Sequence, residues 1–230
     1  MSPGLQSQTS EPTMWRLINF YDPTINGLDA LSRKLAEILE WTDDSLERQH
    51  NYIQFLFPLP EESRFYIAPI VDEDTMLIFH NSPALQQNMV HVLKRMLTFY
   101  GFEAKDSENK EVPKDNKKVA GENEEVVEGA EIRLTITPRA DCQRGFSRWV
   151  KPVNHNHLRI TRIIRSLRVL GLGGAARDFF DALMEVCRAR GVVSRKSIAF
   201  WTRAMMDPLE IAPDGTVIEW LEDFGARRAT

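Results

Sequence analysis

The sequence has little cysteine, no long apolar run and no basic residue near its start. Only Cys142 and Cys187 are cysteines among 230 residues, too few for a disulfide scaffold and typical of a reducing, intracellular setting. No stretch approaches the roughly 18 consecutive apolar residues that predict a transmembrane helix. The first twelve residues, MSPGLQSQTSEP, lack Lys, Arg and an apolar core, unlike a secretory signal. We therefore expect a soluble intracellular protein, cytoplasmic or nuclear and not secreted.

Common catalytic and cofactor motifs are also missing. The sequence has no GxGxxG, GxxxxGK[ST], GxSxG or HExxH pattern and no EF-hand loop, so it does not indicate a nucleotide, hydrolase, zinc or calcium site of those kinds. His155 and His157 could form half of a metal site in a loop, but on a helix they would point about 200° apart. Neither cysteine lies in a CxxC pair, and we expect no metal and no cofactor.

Charge is unevenly distributed along the chain. Residues 1–131 contain 12 Lys/Arg and 23 Asp/Glu, whereas residues 132–206 contain 15 Lys/Arg, mostly Arg, and 4 Asp/Glu. Either the two halves pack together and neutralise each other, or the basic segment forms a pocket or surface for an anionic partner. A nucleic-acid partner is not expected, because no zinc-finger or RRM pattern accompanies the arginines.

Hydrophobic periodicity and capping residues predict a mainly α-helical, single multi-helix domain with at most one small β-hairpin. The predicted helices cover residues 27–40, 43–57, 72–79, 82–100, 154–170, 173–190 and 194–207. Residues 1–13 are predicted to be a flexible tail, and 14–226 to be the domain. Residues 103–131 are rich in charge and lack aromatic residues, which predicts a disordered acidic insertion. The alternating run 132–137 predicts a strand, which could pair with residues 216–220.

The segment 154–167 places polar side chains beside the apolar face of its predicted helix. His155, Arg159 and Arg162 follow at intervals of four and three residues, so they stack on one flank. Asn156 joins them at the helix N-terminus, where free N–H groups and the helix dipole favour anions. The pattern predicts an anion or carboxylate site. Alternatively, Arg159 pairs with an acidic residue of the first half and His155 only caps the helix.

A second polar pair lies in the helix predicted over residues 43–57. His50 falls on the apolar face there, a position typical of a hydrogen-bonded core histidine. In the functional alternative, His50 and Gln54 face His155 and Arg159 across a cleft, where two histidines beside an arginine could transfer protons on a small acidic substrate. The sequence alone does not show that the two segments meet.

Three segments resemble the conserved domain of the opioid growth factor receptor family. Residues 49–59, QHNYIQFLFPL, are similar to its NHxYIQWLFPL signature, with Phe55 where the family has Trp. Residues 96–102, MLTFYGF, resemble its MLxFYG motif. Residues 155–167, HNHLRITRIIRSL, with LGL at 170–172, are similar to its HNNLRITRIL-SL-xLGL segment, with His157 where the family has Asn. The motifs occur in the family's order, and the resemblance runs from about Phe20 to Trp220.

This resemblance implies an intracellular, nucleus-associated receptor for an enkephalin-type peptide, here in a stand-alone form without the C-terminal repeats of the animal receptors. It also highlights the polar residues inside the matching motifs: His50, Gln54, His155, Asn156, Arg159 and Arg162.

Three hypotheses follow for these residues. The first is a non-catalytic module that binds an anionic peptide or small molecule in a cleft floored by Arg159 and Arg162, with His50 and His155 at its sides. The second is a cofactor-independent isomerase, cyclase or hydrolase of a biosynthetic pathway. In that enzyme, His50 or His155 would be the acid-base catalyst and Arg159 would hold a carboxylate or enolate. The third makes the same side chains a buried polar network between helices.

Overall fold

The computed structural model describes residues 13–107 and 131–228. Within these ranges it contains eleven helices and one two-stranded antiparallel sheet, which confirms the mainly α prediction. The helices are α1 (Thr13–Tyr21), α2 (Leu35–Leu39), α3 (Asp43–Arg48), α4 (Ile53–Leu56), α5 (Glu73–Asn81), α6 (Pro83–Tyr100), α7 (Cys142–Phe146), α8 (Asn156–Val169), α9 (Gly173–Arg190), α10 (Arg195–Met206) and α11 (Glu219–Arg228). The strands are β1 (Phe102–Asp106) and β2 (Leu134–Pro138).

Helices α6 and α8 form the centre of one continuous hydrophobic core. Helix α6 contacts α1, α5, α7 and β1, while α8 packs between α9 and α10. The wholly buried rings of Trp149 and Trp201, with centroids 6.0 Å apart, join α10 to the segment before α8. Burial of this apolar surface supplies the main driving force for the fold.

Helix α6 forms as its end signals predict. The Ser82 hydroxyl accepts a hydrogen bond from the Leu85 N–H at 3.4 Å, and Pro83 occupies the first turn, where no N–H is needed. Gly101 ends the helix with φ of +94°, a left-handed conformation that glycine adopts without steric cost.

Gly101 also permits a close approach of α7. A Cβ atom built on Gly145 of α7 would collide with the backbone of Gly101 and Tyr100. Two glycines therefore face each other where α7 crosses the end of α6, and this crossing positions Trp149 three residues after α7.

The prediction of one helix over residues 27–40 is wrong for its first part. Asn26 and Ser32 adopt left-handed φ values of 52° and 59°, and only α2 remains helical. The Asp29 carboxylate accepts hydrogen bonds from the N–H groups of Leu31 and Arg33 at 2.8 and 3.0 Å. Such local side-chain bonding to the backbone competes with the helix and fixes a turn instead.

The helix predicted over residues 43–57 is also interrupted. Thr42 caps α3 by accepting a hydrogen bond from the Ser45 N–H at 3.2 Å. The chain becomes extended at Gln49, with ψ of 138°, and α4 begins at Ile53. As a consequence His50 lies between two helices and is exposed, so its predicted place on an apolar helix face is wrong.

The predicted strand is present, but its predicted partner is wrong. β2 pairs with β1, from Phe102 opposite Pro138 to Asp106 opposite Leu134. Residues 103–106 therefore belong to the sheet and not to the acidic insertion predicted over 103–131. Residues 108–130 of that insertion, and residues 1–12 of the predicted tail, lie outside the described residues.

The acidic and basic segments contact each other through several ion pairs. Arg148 lies 3.3 Å from Asp43, and Arg165 lies 2.8 Å from Glu61, each distance joining a guanidinium nitrogen to a carboxylate oxygen. The two halves thus neutralise part of each other's charge. Among the described helices, none is both long and apolar enough to cross a bilayer.

Candidate functional site

The ends of two helices bring His50 and His155 together. His50 lies just beyond α3, and His155 immediately precedes α8. Their ring centroids are 5.3 Å apart with an interplanar angle of 72°, and both residues are exposed. The two motif segments therefore meet, as the hypothesis of facing segments requires.

Arg159 lies directly behind this histidine pair and is 5% exposed. Its Nη1 donates to the carbonyl of Leu46 at 3.0 Å, and its Nη2 donates to the carbonyl of Gln49 at 2.7 Å. These acceptors belong to the last turn of α3, whose free carbonyls carry the negative end of the helix dipole. Arg159 thus joins α8 to the C-terminus of α3, with backbone carbonyls rather than the predicted acidic side chain as its main partners.

Arg159 also fixes the proton position on His50. Its Nη2 lies 3.2 Å from His50 Nδ1, and because a guanidinium only donates, that ring nitrogen must accept. The neutral ring then carries its proton on Nε2. Among the described residues, no acceptor is found for that N–H, so His50 offers a hydrogen-bond donor at the surface.

Glu47 and Asn156 complete the cluster. His155 Nε2 lies 3.4 Å from one carboxylate oxygen of Glu47, and the Asn156 side-chain amide donates to the other oxygen at 3.0 Å. The Asn156 side-chain oxygen accepts from Arg159 Nη1 at 3.1 Å. Partial burial and then the positive charge of Arg159 lower the pKa of His155, so its ring is neutral at pH 7.

Tyr52 supports the arginine from the side. The guanidinium carbon of Arg159 lies 5.3 Å from the centre of the Tyr52 ring, a cation–π distance, and Nη1 lies 3.4 Å from its hydroxyl. Burial raises the pKa of Tyr52 to about 12, so the hydroxyl stays protonated at neutral pH. Sequence reasoning missed Tyr52 and Glu47, although Tyr52 lies inside the matching motif and Glu47 lies one turn before His50.

Two of the candidate residues lie outside the cluster. The Gln54 side-chain oxygen is buried and has no hydrogen-bond partner in the described part of the chain. Arg162 donates through Nη1 to the carbonyl of Phe57 at 3.0 Å. Burial lowers the pKa of Arg162 to about 10, but the guanidinium remains charged at neutral pH.

His157 is held away from His155. Its two ring nitrogens lie 2.8 Å from the Ser197 hydroxyl and 2.7 Å from the Trp149 carbonyl, inside the protein.

Over residues 13–107 and 131–228, no group of three or more His, Cys, Asp or Glu side chains could hold a metal ion. The His50, His155 and Arg159 cluster offers hydrogen bonds and positive charge. Of five cavities along the described surface, none is lined by His50 or His155.

Comparison with known proteins places these residues in context. The family model described as the opioid growth factor receptor (OGFr) conserved region matches residues 13–137. This range includes the segment containing His50 and ends before the segment containing His155.

Curated proteins named as opioid growth factor receptors, or as receptor-like, also match this chain. The Homo sapiens opioid growth factor receptor is 32% identical over 141 residues, which cover 60% of this chain and 17% of the receptor. The Rattus norvegicus receptor is 32% identical over 142 residues, covering 60% of this chain and 20% of the receptor. Opioid growth factor receptor-like protein 1 of Xenopus tropicalis is 29% identical over 140 residues, covering 60% of this chain and 22% of that protein. The matched region thus spans about a fifth of the length of these relatives. No solved structure shows a significant match.

Proposed function

This chain belongs to the opioid growth factor receptor conserved-region family, and from that premise we propose that it is a non-catalytic helical ligand-binding domain. In this proposal an anionic peptide or small molecule binds where the connection between α3 and α4 meets the start of α8. His50 and His155 contact the ligand, and Asn156 and Arg159 support them from below.

The observation that carries the proposal is the exposed histidine pair in front of a buried arginine. The two rings are 5.3 Å apart, and Arg159 contacts His50 at 3.2 Å. Arg159 has no direct carboxylate partner, because its hydrogen bonds go to carbonyl, amide, hydroxyl and imidazole groups. Its positive charge lowers the pKa of His155, so the same field reaches the place where an anion would bind.

Binding is preferred over acid-base catalysis because both histidines are exposed at the surface, where solvent water reaches a bound molecule. The unpartnered Nε2–H of His50, beside the fixed positive charge of Arg159, suits recognition of a carboxylate. The relatives are named as receptors, which favours a peptide as the ligand class.

An intracellular location, cytoplasmic or nuclear, belongs to the same proposal. Both cysteines are free thiols, as a reducing compartment would maintain them. A fluorescent fusion expressed in the source cell would report the compartment directly.

Proton NMR titration of the imidazole rings tests the binding site. A tetraglutamate peptide is added to the protein, and the signals are assigned with His50→Gln and His155→Gln. We expect saturable shifts of the His50 and His155 signals, and weaker binding by either variant. The exposed His91 on α6 is the matched control, and equal shifts of all three histidines, or no shift, would contradict the proposal.

A further inference from the structure

A cavity lies beside the part of α8 that carries Leu158, Thr161 and Arg165. Its volume is about 260 Å³. It opens to solvent between one face of α8, Phe200 of α10 and two loop segments. The lining residues are Leu59, Glu61, Glu62, Leu158, Thr161, Arg162, Arg165, Phe200, Ala212, Pro213 and Asp214.

Arg165 in the wall of this cavity is incompletely hydrogen-bonded. The residue is 1% exposed, and its Nε donates to one carboxylate oxygen of Glu61 at 2.8 Å. Its Nη1 and Nη2 are buried and have no hydrogen-bond partner among the described residues. A buried guanidinium with two free N–H₂ groups destabilises the fold unless something accepts from it, so these groups are the donors left for a ligand.

Glu61, the partner of Arg165, is also incompletely hydrogen-bonded. Its second carboxylate oxygen is buried and also lacks a hydrogen-bond partner within residues 13–107 and 131–228. One ion pair therefore presents two unused donors and one unused acceptor to the same cavity. A ligand that satisfies both must carry an acceptor group and a donor group close together.

The remaining charges of the cavity select the kind of ligand. Two arginines, Arg162 and Arg165, are outnumbered by three carboxylates, those of Glu61, Glu62 and Asp214. Hydrogen bonds from Thr216 lower the pKa of Asp214, so it is ionised at neutral pH. A phosphate dianion would be repelled by this set, whereas a zwitterion adds no net charge and can place its carboxylate at the arginine and its ammonium at the carboxylates.

The apolar walls and the volume of the cavity further limit the ligands that it could hold. Leu158, Phe200 and Pro213 supply apolar surface beside the charged groups. Pockets for drug-sized ligands are usually about 300–1,000 Å³, so this cavity suits a smaller molecule. We propose that the cavity binds a free amino acid with an apolar side chain. Its carboxylate accepts from Arg165 Nη1 and Nη2, its ammonium donates to Glu61, and its side chain contacts Leu158 and Phe200.

This site is independent of the histidine cluster. Leu158, Thr161 and Arg165 lie on the cavity side of α8, whereas His155 and Arg159 face α3. Failure of one site therefore leaves the other untouched, and His155→Gln is expected to leave amino-acid binding unchanged.

Isothermal titration calorimetry with matched probes tests the proposal. L-phenylalanine is compared with L-phenylalaninamide, which lacks the carboxylate, and with 3-phenylpropanoate, which lacks the ammonium. We expect L-phenylalanine to bind, and each analogue to bind at least about tenfold more weakly, because each leaves a charged partner unsatisfied. Absence of binding by both L-phenylalanine and L-leucine at 10 mM, or equal binding of 3-phenylpropanoate, would overturn it.

Two variants locate the binding. Arg165→Lys keeps the charge but removes both Nη groups, and we expect it to abolish L-phenylalanine binding. Since that buried variant could fail to fold, the double variant Glu62→Gln with Asp214→Asn changes only exposed residues. We expect the double variant to weaken L-phenylalanine binding several-fold while leaving the thermal midpoint nearly unchanged. Unaltered affinity in the double variant would place the ligand elsewhere.

Discussion

Arg159 and His50 are joined by a hydrogen bond of 3.2 Å between Nη2 and Nδ1, although 109 positions separate them in the chain. The same guanidinium donates to the carbonyls that end α3. One buried side chain thus closes a helix, orients an exposed imidazole and supplies positive charge behind it. The structural role of Arg159 coincides with the recognition role proposed for it, so a substitution there must be interpreted through both.

Replacement of Arg159 by alanine is expected to lower the free energy of unfolding by about 3 kcal/mol or more. The change removes the donor to the buried Leu46 carbonyl and to the partly buried Gln49 carbonyl, and it also leaves a cavity beside Tyr52. An unsatisfied buried group alone costs about 1–3 kcal/mol. Urea denaturation of the two proteins measures the difference. Arg188→Ala, on the exposed face of α9, is the control and should change stability by less than about 0.5 kcal/mol. A loss below 1 kcal/mol for Arg159→Ala would contradict the structural role.

The protonation of His155 predicts a pH dependence of stability. Burial and the charge of Arg159 lower its pKa in the folded state below the ordinary 6.5. Below pH 6.5 the unfolded chain therefore binds more protons at this position, and the folded state loses stability until the pH falls through the lowered folded pKa. Unfolding measured at pH 7 and pH 5.5 should show this loss, and His155→Gln should reduce it. NMR titration that placed the His155 pKa above 6.5 would refute the prediction.

The helices that the sequence predicted well are those whose ends carry local signals. Ser82-Pro83 and Gly101 bound α6, and Ser194 caps α10 by accepting from the Ser197 N–H at 3.2 Å. The interruption of the helix predicted over 43–57 has no such local signal. The carbonyls at the end of α3 accept hydrogen bonds from Arg159, which lies more than 100 positions later in the chain. Local periodicity contains no trace of this contact, and the predicted helix therefore extends past the true end of α3.

The prediction of the strand pairing was wrong for a related reason. An alternating run predicts a strand but not its partner, and the turn signal at Asp214-Gly215 favoured residues 216–220. The observed partner, β1, precedes β2, and residues 107–133 between them are too many for a tight hairpin turn. The short strand β1 also resembles a loop in composition, since Glu103, Lys105 and Asp106 are charged.

For the candidate site, the sequence supplied the residue types but not their geometry. Stacking of His155 and Arg159 on one flank follows from helical spacing, and the structure retains it. Their meeting with His50 required knowledge of the tertiary fold. Arg162 shares the sequence motif and lies about 60° round the helix from Arg159, but its Nη1 donates to the Phe57 carbonyl, a partner that the spacing alone does not predict.

Thiol labelling is expected to distinguish the two cysteines. Cys187 is buried on α9, and burial raises its pKa to about 11, so little thiolate forms at pH 7.5. Reaction of the native protein with an aromatic disulfide reagent should therefore modify Cys142 first, and both cysteines only after denaturation. Cys142→Ser should leave native protein almost unreactive over the same time. Rapid modification of Cys187 in that variant would show that α9 opens readily.

Gly145→Ala and Gly225→Ala should change stability in opposite directions. A Cβ at Gly145 would collide with the backbone of Gly101 and Tyr100, whereas a Cβ at Gly225 meets no atom within 4 Å. Because the first collision involves backbone on both sides, neither helix can relieve it by rotating a side chain, and we expect a loss of about 2 kcal/mol or more. Gly225 lies within α11, where alanine should gain roughly 0.5–1 kcal/mol from helix propensity. Denaturant unfolding of both variants measures the two signs. A Gly145→Ala protein as stable as wild type would mean that α7 does not approach α6 as closely as the glycine pair implies.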